Sequence, residues 1–355
     1  MGAQHPMKPT RLEMTTKLLE SYGLFKGSLK LVAPELADPD EVSRTHDPDF
    51  IAALAAIRSG AAPGNLYRFG LGTGDNPIFD DIYEASLRYS GASIQAAQAI
   101  IDGEGSVAFN ISGGLHHAHY DRAAGFCVLN DCAMAARRLR THFQKVAYVD
   151  IDVHHGDGVQ ELFYNDPTVL TISIHEVGRG FFPGTGYVDE IGEGPGEGYA
   201  VNVPVAPDTI DDTWLMAWRQ AALPLLRAFE PEAIVLQMGA DPHYLDPLAH
   251  VCLTAQGWLE AVKDVRSLGL PIVAIGGGGY NLSTVTRMWA SAVSVLIDQP
   301  LPNEVPESYP YHAKISQLLD SGGPEVSRES SEYANRFARK TVEDVKAALF
   351  ARNGL

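Results

Sequence analysis

Asp150, Asp152 and His154 stand two residues apart in Asp150-Ile-Asp152-Val-His154-His155-Gly-Asp157, at the end of an apolar run. In an extended strand alternate side chains share a face, so these three point one way while Ile151 and Val153 point the other. A carboxylate oxygen and an imidazole nitrogen placed like this can reach one cation. Asp241, after a second apolar run, offers another carboxylate and completes an open Asp/His/Asp set with a coordination position left for water. Such ligands suit zinc, iron or manganese, and softness does not choose among them.

Two neighbouring histidines, His116 and His117, follow Gly113-Gly114-Leu115. Either both bind metal or both act on a metal-activated water. Each then needs a carboxylate on its far ring nitrogen to fix the tautomer and raise basicity, and Asp150 and Asp157 are the carboxylates available. Tyr280, after the run Gly276-Gly277-Gly278-Gly279, can reach into the same crevice as an oxyanion donor. The glycine run alone is weak, since tight turns and phosphate loops share it. Phe126 and Phe182 fall in loops and read as the walls of a narrow channel for an apolar stem, with packing beneath the loops as the equal alternative. His119, His142, His155, His175, His243 and His250 read as structural or exposed.

The elements that must position these groups are short β-branched runs alternating with helix-period segments. Strands are predicted at 106–111, 145–153, 168–175, 233–239 and 271–275, apolar on both faces as buried parallel strands are. One helix follows Asn130 or Asp131 as its cap, with Ala135, Leu139 and Phe143 on one face. Another starts near Asp211, presents Trp218, Ala222, Leu225 and Phe229, and should kink or split at Pro224. Further helices are predicted at 84–102, 254–268, 283–297 and 341–352. The alternation argues for a single α/β domain with a doubly wound, mostly parallel sheet. Ligands in such sheets sit outside the carboxyl ends of the strands, where the Asp, His and Tyr residues gather. Two long Gly/Pro-rich stretches, 59–77 and 176–198, read as functional loops.

The chain has 355 residues, 27 Lys+Arg against 44 Asp+Glu, and a net charge of −17. Its 45% hydrophobic and 20% charged content excludes a disordered protein. Direct nucleic-acid binding is not expected, because an acidic chain without a basic patch repels phosphate. Three cysteines argue for a reducing, cytoplasmic compartment rather than a disulfide framework. No signal peptide is expected. The uncharged stretch 267–286 contains Pro271 and the glycine run, so it reads as strand, loop and helix start rather than a membrane span.

HisProMetLysPro (5–9) with Arg11, GGLHHA (113–118), GFCVLND (125–131), VDIDVHHGDGVQ (149–160), FFPGTG (181–186), QMGAD (237–241), LT (253–254) and GGGGY (276–280) together resemble the zinc-dependent histone deacetylase family. The likeness is to its class I-like branch and the bacterial acetoin-utilisation relatives. It implies the arginase–deacetylase fold, with about eight strands in the sheet and helices on both faces. It covers a core of about residues 5–297, with 298–355 expected to pack on it as part of one catalytic domain.

The resemblance also implies roles. Asp152, His154 and Asp241 would hold Zn2+, with Fe2+ as the other metal. His116 and His117 would act at the water, backed by Asp150 and Asp157, and Tyr280 would donate to the scissile carbonyl. Phe126 and Phe182, with Gly125, would flank the acyl-lysine stem. Leu248 would lie at the mouth and Asp75 would hold substrate backbone. Arg11, Gly114 and Cys127 would line a pocket for acetate. K+ or Na+ would sit around Asp150, Asp152, His154, Ser173 and Ile174, and around Phe163, Asp166, Val169 and Tyr199. The implied activity is hydrolysis of acetyl-lysine in a protein or peptide. Acetylpolyamine hydrolysis, longer acyl groups, a non-catalytic acyl-lysine binder and a two-manganese ureohydrolase are the competing readings.

Departures from the family pattern are expected to matter at the rim. The chain opens near the HisPro motif, so the family's first strand and the following rim loop are expected to be missing or truncated. Pro242-His243-Tyr244 replaces smaller residues and is expected to reshape the rim. Asn76 stands where a cysteine is common, so no redox switch with Cys127 is expected.

Overall fold

The computed structural model describes residues 5–27, 29–58 and 65–355. Six parallel strands form one sheet: β1 (Val107–Asn110), β2 (Val146–Asp150), β3 (Val169–Glu176), β4 (Ala200–Val205), β5 (Ala233–Gln237) and β6 (Ile272–Ile275). Their order is β1-β6-β5-β2-β3-β4. The chain winds outward from β2 to β4 and then returns to place β5 on β2's other side. The carboxyl ends of β2 and β5 therefore flank the reversal point, where α/β sheets hold ligands. Asp150 pairs in register with Gln237 on β5 and Ser173 on β3.

Helices cover both faces. α1 (Thr10–Ser21), α2 (Pro39–Ser43), α3 (Pro48–Arg58) and α4 (Ile82–Ile101) precede or follow the first loops, and α5 (Asp131–Arg140) and α6 (Asp157–Phe163) flank β2. α7 (Asp211–Ala217), α8 (Leu223–Phe229), α9 (Ala255–Arg266), α10 (Leu282–Leu296) and α11 (Arg328–Val345) follow. Strand alternation sorts the core: Ala147, Val149, Ile172 and Ile174 pack with α7 to α11, whereas Val146, Tyr148 and Val169 pack with α4, α5 and α6. Between α7 and α8 one π turn, Trp218–Ala222, absorbs the N–H missing at Pro224, which is the predicted break. The C-terminal segment is anchored by α11, where Thr341 Oγ1 donates to the Pro204 carbonyl at 3.0 Å.

Three sequence expectations change. Among the described residues the sheet has six strands, not the about eight that the resemblance implies. Cys252 and Leu253 make only isolated parallel bridges, to Ile210 and His243. Pro242 has no N–H to extend that ladder, and Thr254 already caps α9. Second, β4 was not predicted, because Asn202 and Pro204 break its apolar run; Pro204 is tolerated on an edge strand. Third, the helix placed at 341–352 begins much earlier, at Arg328, where Ser327 caps α11 by accepting from Ser330 N. Loop residues 59–64 lie outside the described set. No described helix is long and apolar enough to cross a membrane.

Candidate active site

Strand β2 ends at Asp150, so Asp152 and His154 lie beyond the strand rather than on its face. Their convergence comes from consecutive side-chain turns: Asp150 Oδ1 accepts from Asp152 N at 3.1 Å, and Asp152 Oδ1 accepts from His154 N at 3.0 Å. From the end of β5, Asp241 joins them. One ligand atom from each of Asp152, His154 and Asp241 lies within 4.8 Å of the other two, and all three residues are buried. His154 Nδ1 stands 3.2 Å from Asp152 and 3.0 Å from Asp241.

The remaining carboxylate oxygens are fixed by the fold. Asp152 Oδ2 accepts from Gln237 Nε2 at 2.9 Å and Gly278 N at 2.8 Å; Asp241 Oδ1 accepts from Val153 N at 2.9 Å. Burial and then the Asp152 charge push Asp241 up to about 7. Burial works against ionised Asp152 too, but His116 and His154 hold it well below the usual carboxylate range. Two buried carboxylates facing one imidazole form a donor set that fits a divalent cation.

Above this group sit the paired histidines. His116 Nδ1 donates to Asp150 Oδ2 at 2.7 Å, and His117 Nδ1 donates to Asp157 Oδ1 at 2.7 Å. Tyr148 donates its hydroxyl to the same Asp150 oxygen at 2.5 Å. Burial lowers both imidazoles, yet their partners separate them. Asp150 and Asp152 overcome burial and raise His116 to about 9, whereas burial and the His116 charge depress His117 to about 3. Their surroundings thus push the two imidazoles in opposite directions, His116 toward the protonated form and His117 toward the neutral one.

A cavity of about 280 Å³ opens onto these groups. Asp75, Gly125, Phe126, Phe182 and Leu248 all line it, together with His117, His154 and Tyr280. Gly125 has φ +49°, and a Cβ there would stand 2.5 Å from the His117 ring and 2.8 Å from Phe182, so this wall requires glycine. His5 supports the rim by an edge-on contact with Phe126, 4.6 Å between rings, and by bonding the Asp75 carbonyl at 3.1 Å. Burial and the nearby Asp241 and Asp152 keep the Tyr280 phenol protonated well beyond its ordinary range. Tyr280 N donates to Asp246 at 2.7 Å, which fixes the backbone that carries the phenol.

The other positions fall as follows. Buried Arg11 donates to the Gly279 carbonyl at 3.1 Å, Gly114 packs against Gly276 and Gly277, and Cys127 Sγ lies 3.2 Å from the Gly125 carbonyl. Phe163, Asp166 and Val169 share the turn between α6 and β3, with Val169 N 3.5 Å from the Asp166 carbonyl; Tyr199 O accepts from Thr171 N at 2.9 Å. His243 does not shape the rim. It is buried and pairs with Asp320 at 3.0 Å.

Sequence reasoning missed the part that five residues play here. Phe181, not only Phe182, faces the site, stacking on His154 at 5.1 Å. Gln237 steers Asp152, and its place at the end of β5 was the available signal. Asp131 accepts from Gly114 N and Leu115 N, while Asn130 both caps α5 and donates to the His116 and Ala118 carbonyls, so that pair anchors the histidine loop. His119, taken as structural, pairs with the second oxygen of Asp157 at 3.2 Å.

A doubly wound sheet with an Asp/His/Asp group, two carboxylate-backed histidines and a phenol at its switch point defines a metal-dependent amidohydrolase. Residues 5–296 match the histone deacetylase domain. The chain is 38% identical to histone deacetylase 9 of Arabidopsis thaliana over 350 residues, 97% of this chain and 82% of that one. It is 35% identical to human histone deacetylase 1 over 354 residues, 97% of this chain and 72% of the relative. Against histone deacetylase B of Dictyostelium discoideum the identity is 40% over 356 residues, 98% and 82% of the two chains. The chain belongs to the histone deacetylase family.

Proposed function

We propose that this protein hydrolyses the acetyl amide of N-ε-acetyl-lysine in a protein or peptide, with zinc held by Asp152, His154 and Asp241. The observation that carries this reading is the meeting of those three ligands, the two Asp-backed histidines and Tyr280 around one narrow cavity. Zinc on these ligands supplies Lewis acidity toward the amide carbonyl and a water.

The chain's own residues do the rest. Neutral His117 takes the proton of the attacking water, its ring aimed by Asp157. His116, held cationic beside Asp150, returns a proton to the leaving amine. Tyr280 stays protonated and donates to the oxyanion that develops on the carbonyl oxygen. Phe126 and Phe182 enclose the methylene stem beside Gly125, Leu248 borders the mouth, and exposed Asp75 accepts from substrate backbone. Arg11, Gly114 and Cys127 receive the released acetate.

Iron(II) on the same three ligands is the alternative metal. K+ or Na+ is assigned to the backbone around Asp150, Asp152, His154, Ser173 and Ile174, supported by the β2–β3 register, and to the turn of Phe163, Asp166 and Val169 near Tyr199. Three free thiols, two of them buried, support a reducing location such as the cytoplasm.

The test compares purified zinc-loaded protein on an acetyl-lysine peptide and on acetylspermidine. Faster turnover of the peptide is expected; preference for the polyamine would overturn the substrate class. A single tightly held zinc per chain is expected, and two metals per chain would revive the ureohydrolase reading.

A further inference from the structure

The two carboxylates behind the paired histidines are supported differently. Asp150 is completed by neutral groups besides His116: the Tyr148 hydroxyl on Oδ2 and the Asp152 backbone N–H on Oδ1. Asp157 bonds His117 and the Gly158 N–H through Oδ1, at 2.7 and 3.0 Å. Its Oδ2 is paired, among the described residues, with the His119 ring at 3.2 Å. His119 Nδ1 in turn bonds Glu161, whose side chain is 41% exposed. Both Asp157 and Glu161 lie on α6, one turn apart, so a single short helix presents a carboxylate to each ring nitrogen of His119.

The backbone around His119 is also fixed. His46, from the turn after α2, donates from Nδ1 to the His119 carbonyl at 2.9 Å and accepts the Asn130 N–H at Nε2, 2.9 Å. His46 adds no charge, because burial depresses it to about 4. The charged groups facing His119 are therefore Asp157 and Glu161 on α6, and Arg122, three residues further along the same loop, acts on Glu161. Burial opposes a charge on His119, but Asp157 and Glu161 outweigh it and raise the ring to about 9.

We propose that His119 is a positioning residue for amide hydrolysis, gripping the outer oxygen of Asp157 so that the inner oxygen stays aimed at His117, with Glu161 as its anchor. This rests on the deacetylase reading only for what the aimed His117 does. With Oδ2 unpaired, Asp157 would be held through Oδ1 alone, by His117 and the Gly158 N–H, and its line to the His117 ring would be less firmly set. A cation on that oxygen also offsets part of the negative charge gathered by Asp150, Asp152, Asp157 and Asp241 in one buried site.

His119→Ala should lower kcat by about ten- to a hundredfold, the range for losing an outer partner of a site residue, and leave KM within about twofold. His119→Lys, which keeps a cation, should recover more of kcat than His119→Gln, which keeps only a neutral donor. Wild-type kcat in the alanine variant, or a loss that falls on KM, would overturn the proposal. Glu161→Gln alters a half-exposed side chain and provides a second variant if His119→Ala does not fold. The alkaline limb of its kcat profile should move to lower pH, because His119 then loses its proton more easily; an unmoved limb counts against the role. A substrate-free readout separates this claim from the deacetylase reading. The Nδ1 proton resonance of His117 in the zinc-loaded protein should shift or broaden in both variants, and an unchanged resonance overturns the proposal. A wild type that hydrolyses no acetyl-lysine peptide while that resonance shifts would sink the deacetylase reading alone.

Discussion

Gly278 N donates to Asp152 Oδ2 at 2.8 Å, tying the loop after β6 to the loop after β2 across 126 residues of sequence. The same oxygen accepts from Gln237 on β5, so three strand ends fix one carboxylate. Position 278 has no room for a side chain: a Cβ there would stand 2.0 Å from Asp241 Oδ2 and 2.9 Å from Asp152 Oδ2. Gly278→Ala should therefore push two metal ligands apart while leaving the sheet intact. We expect metal affinity to fall by about 10- to 100-fold with an unchanged far-ultraviolet circular dichroism spectrum. Full zinc retention after dialysis of the variant would show that the two carboxylates are not held as described.

Much of this site is legible in the sequence because parallel strands are apolar on both faces, and polar residues at their ends stand out. Asp152, His154 and Asp241 were found that way, although the route differed: side-chain turns after Asp150 bring Asp152 and His154 together, not strand alternation. β4 was hidden by Asn202, a buried amide bonded to Gln160 and the Glu190 carbonyl, and by Pro204, whose missing N–H suits an edge. His119 was illegible for another reason. Its significance lies in partners 38 and 42 residues away, and a contact of that kind leaves no local pattern. The roles of Arg11, Asp75 and the cation-site residues came from resemblance alone, since no spacing in the chain singles them out.

Among the described residues, Tyr280 supplies the one phenol that lines the channel cavity with His117 and His154. Burial and the charges of Asp241 and Asp152 keep it protonated, so it serves as a donor and not as a base. Tyr280→Phe removes one oxyanion donor and little volume. Turnover should drop by roughly 10²–10³ with KM nearly unchanged. Initial rates on an acetyl-lysine peptide decide the matter, and a variant with wild-type kcat would remove Tyr280 from the chemistry.

Dependence on metal follows from the ligand set. Chelation should abolish hydrolysis, and zinc should restore it. In Asp241→Ala only Asp152 and His154 remain, so one carboxylate and one imidazole face the ion. Elemental analysis of that variant should find it nearly metal-free, because a two-ligand protein site holds zinc poorly. Stoichiometric zinc in Asp241→Ala would mean that the cation sits elsewhere.

Asp320 joins the segment after α10 to the loop that follows Asp241. It accepts from His243 at 3.0 Å and Ala255 N at 2.7 Å, and it pairs with the buried Arg287 guanidinium. Burial favours the neutral carboxyl, but the bonds from His243 and Arg287 outweigh it and hold Asp320 at about 2. A carboxyl depressed on folding contributes stability that is complete above its unfolded value of about 4 and fades as pH falls toward the folded one. Asp320→Ala strands the Arg287 charge in a buried setting, which should cost about 3 kcal/mol at pH 6. Urea unfolding should show that deficit constant from pH 6 to about 4 and shrinking below, as the wild type loses the same interaction. A deficit that grows on acidification would reverse the sign of the argument and with it the role of this carboxylate as the anchor of the C-terminal segment.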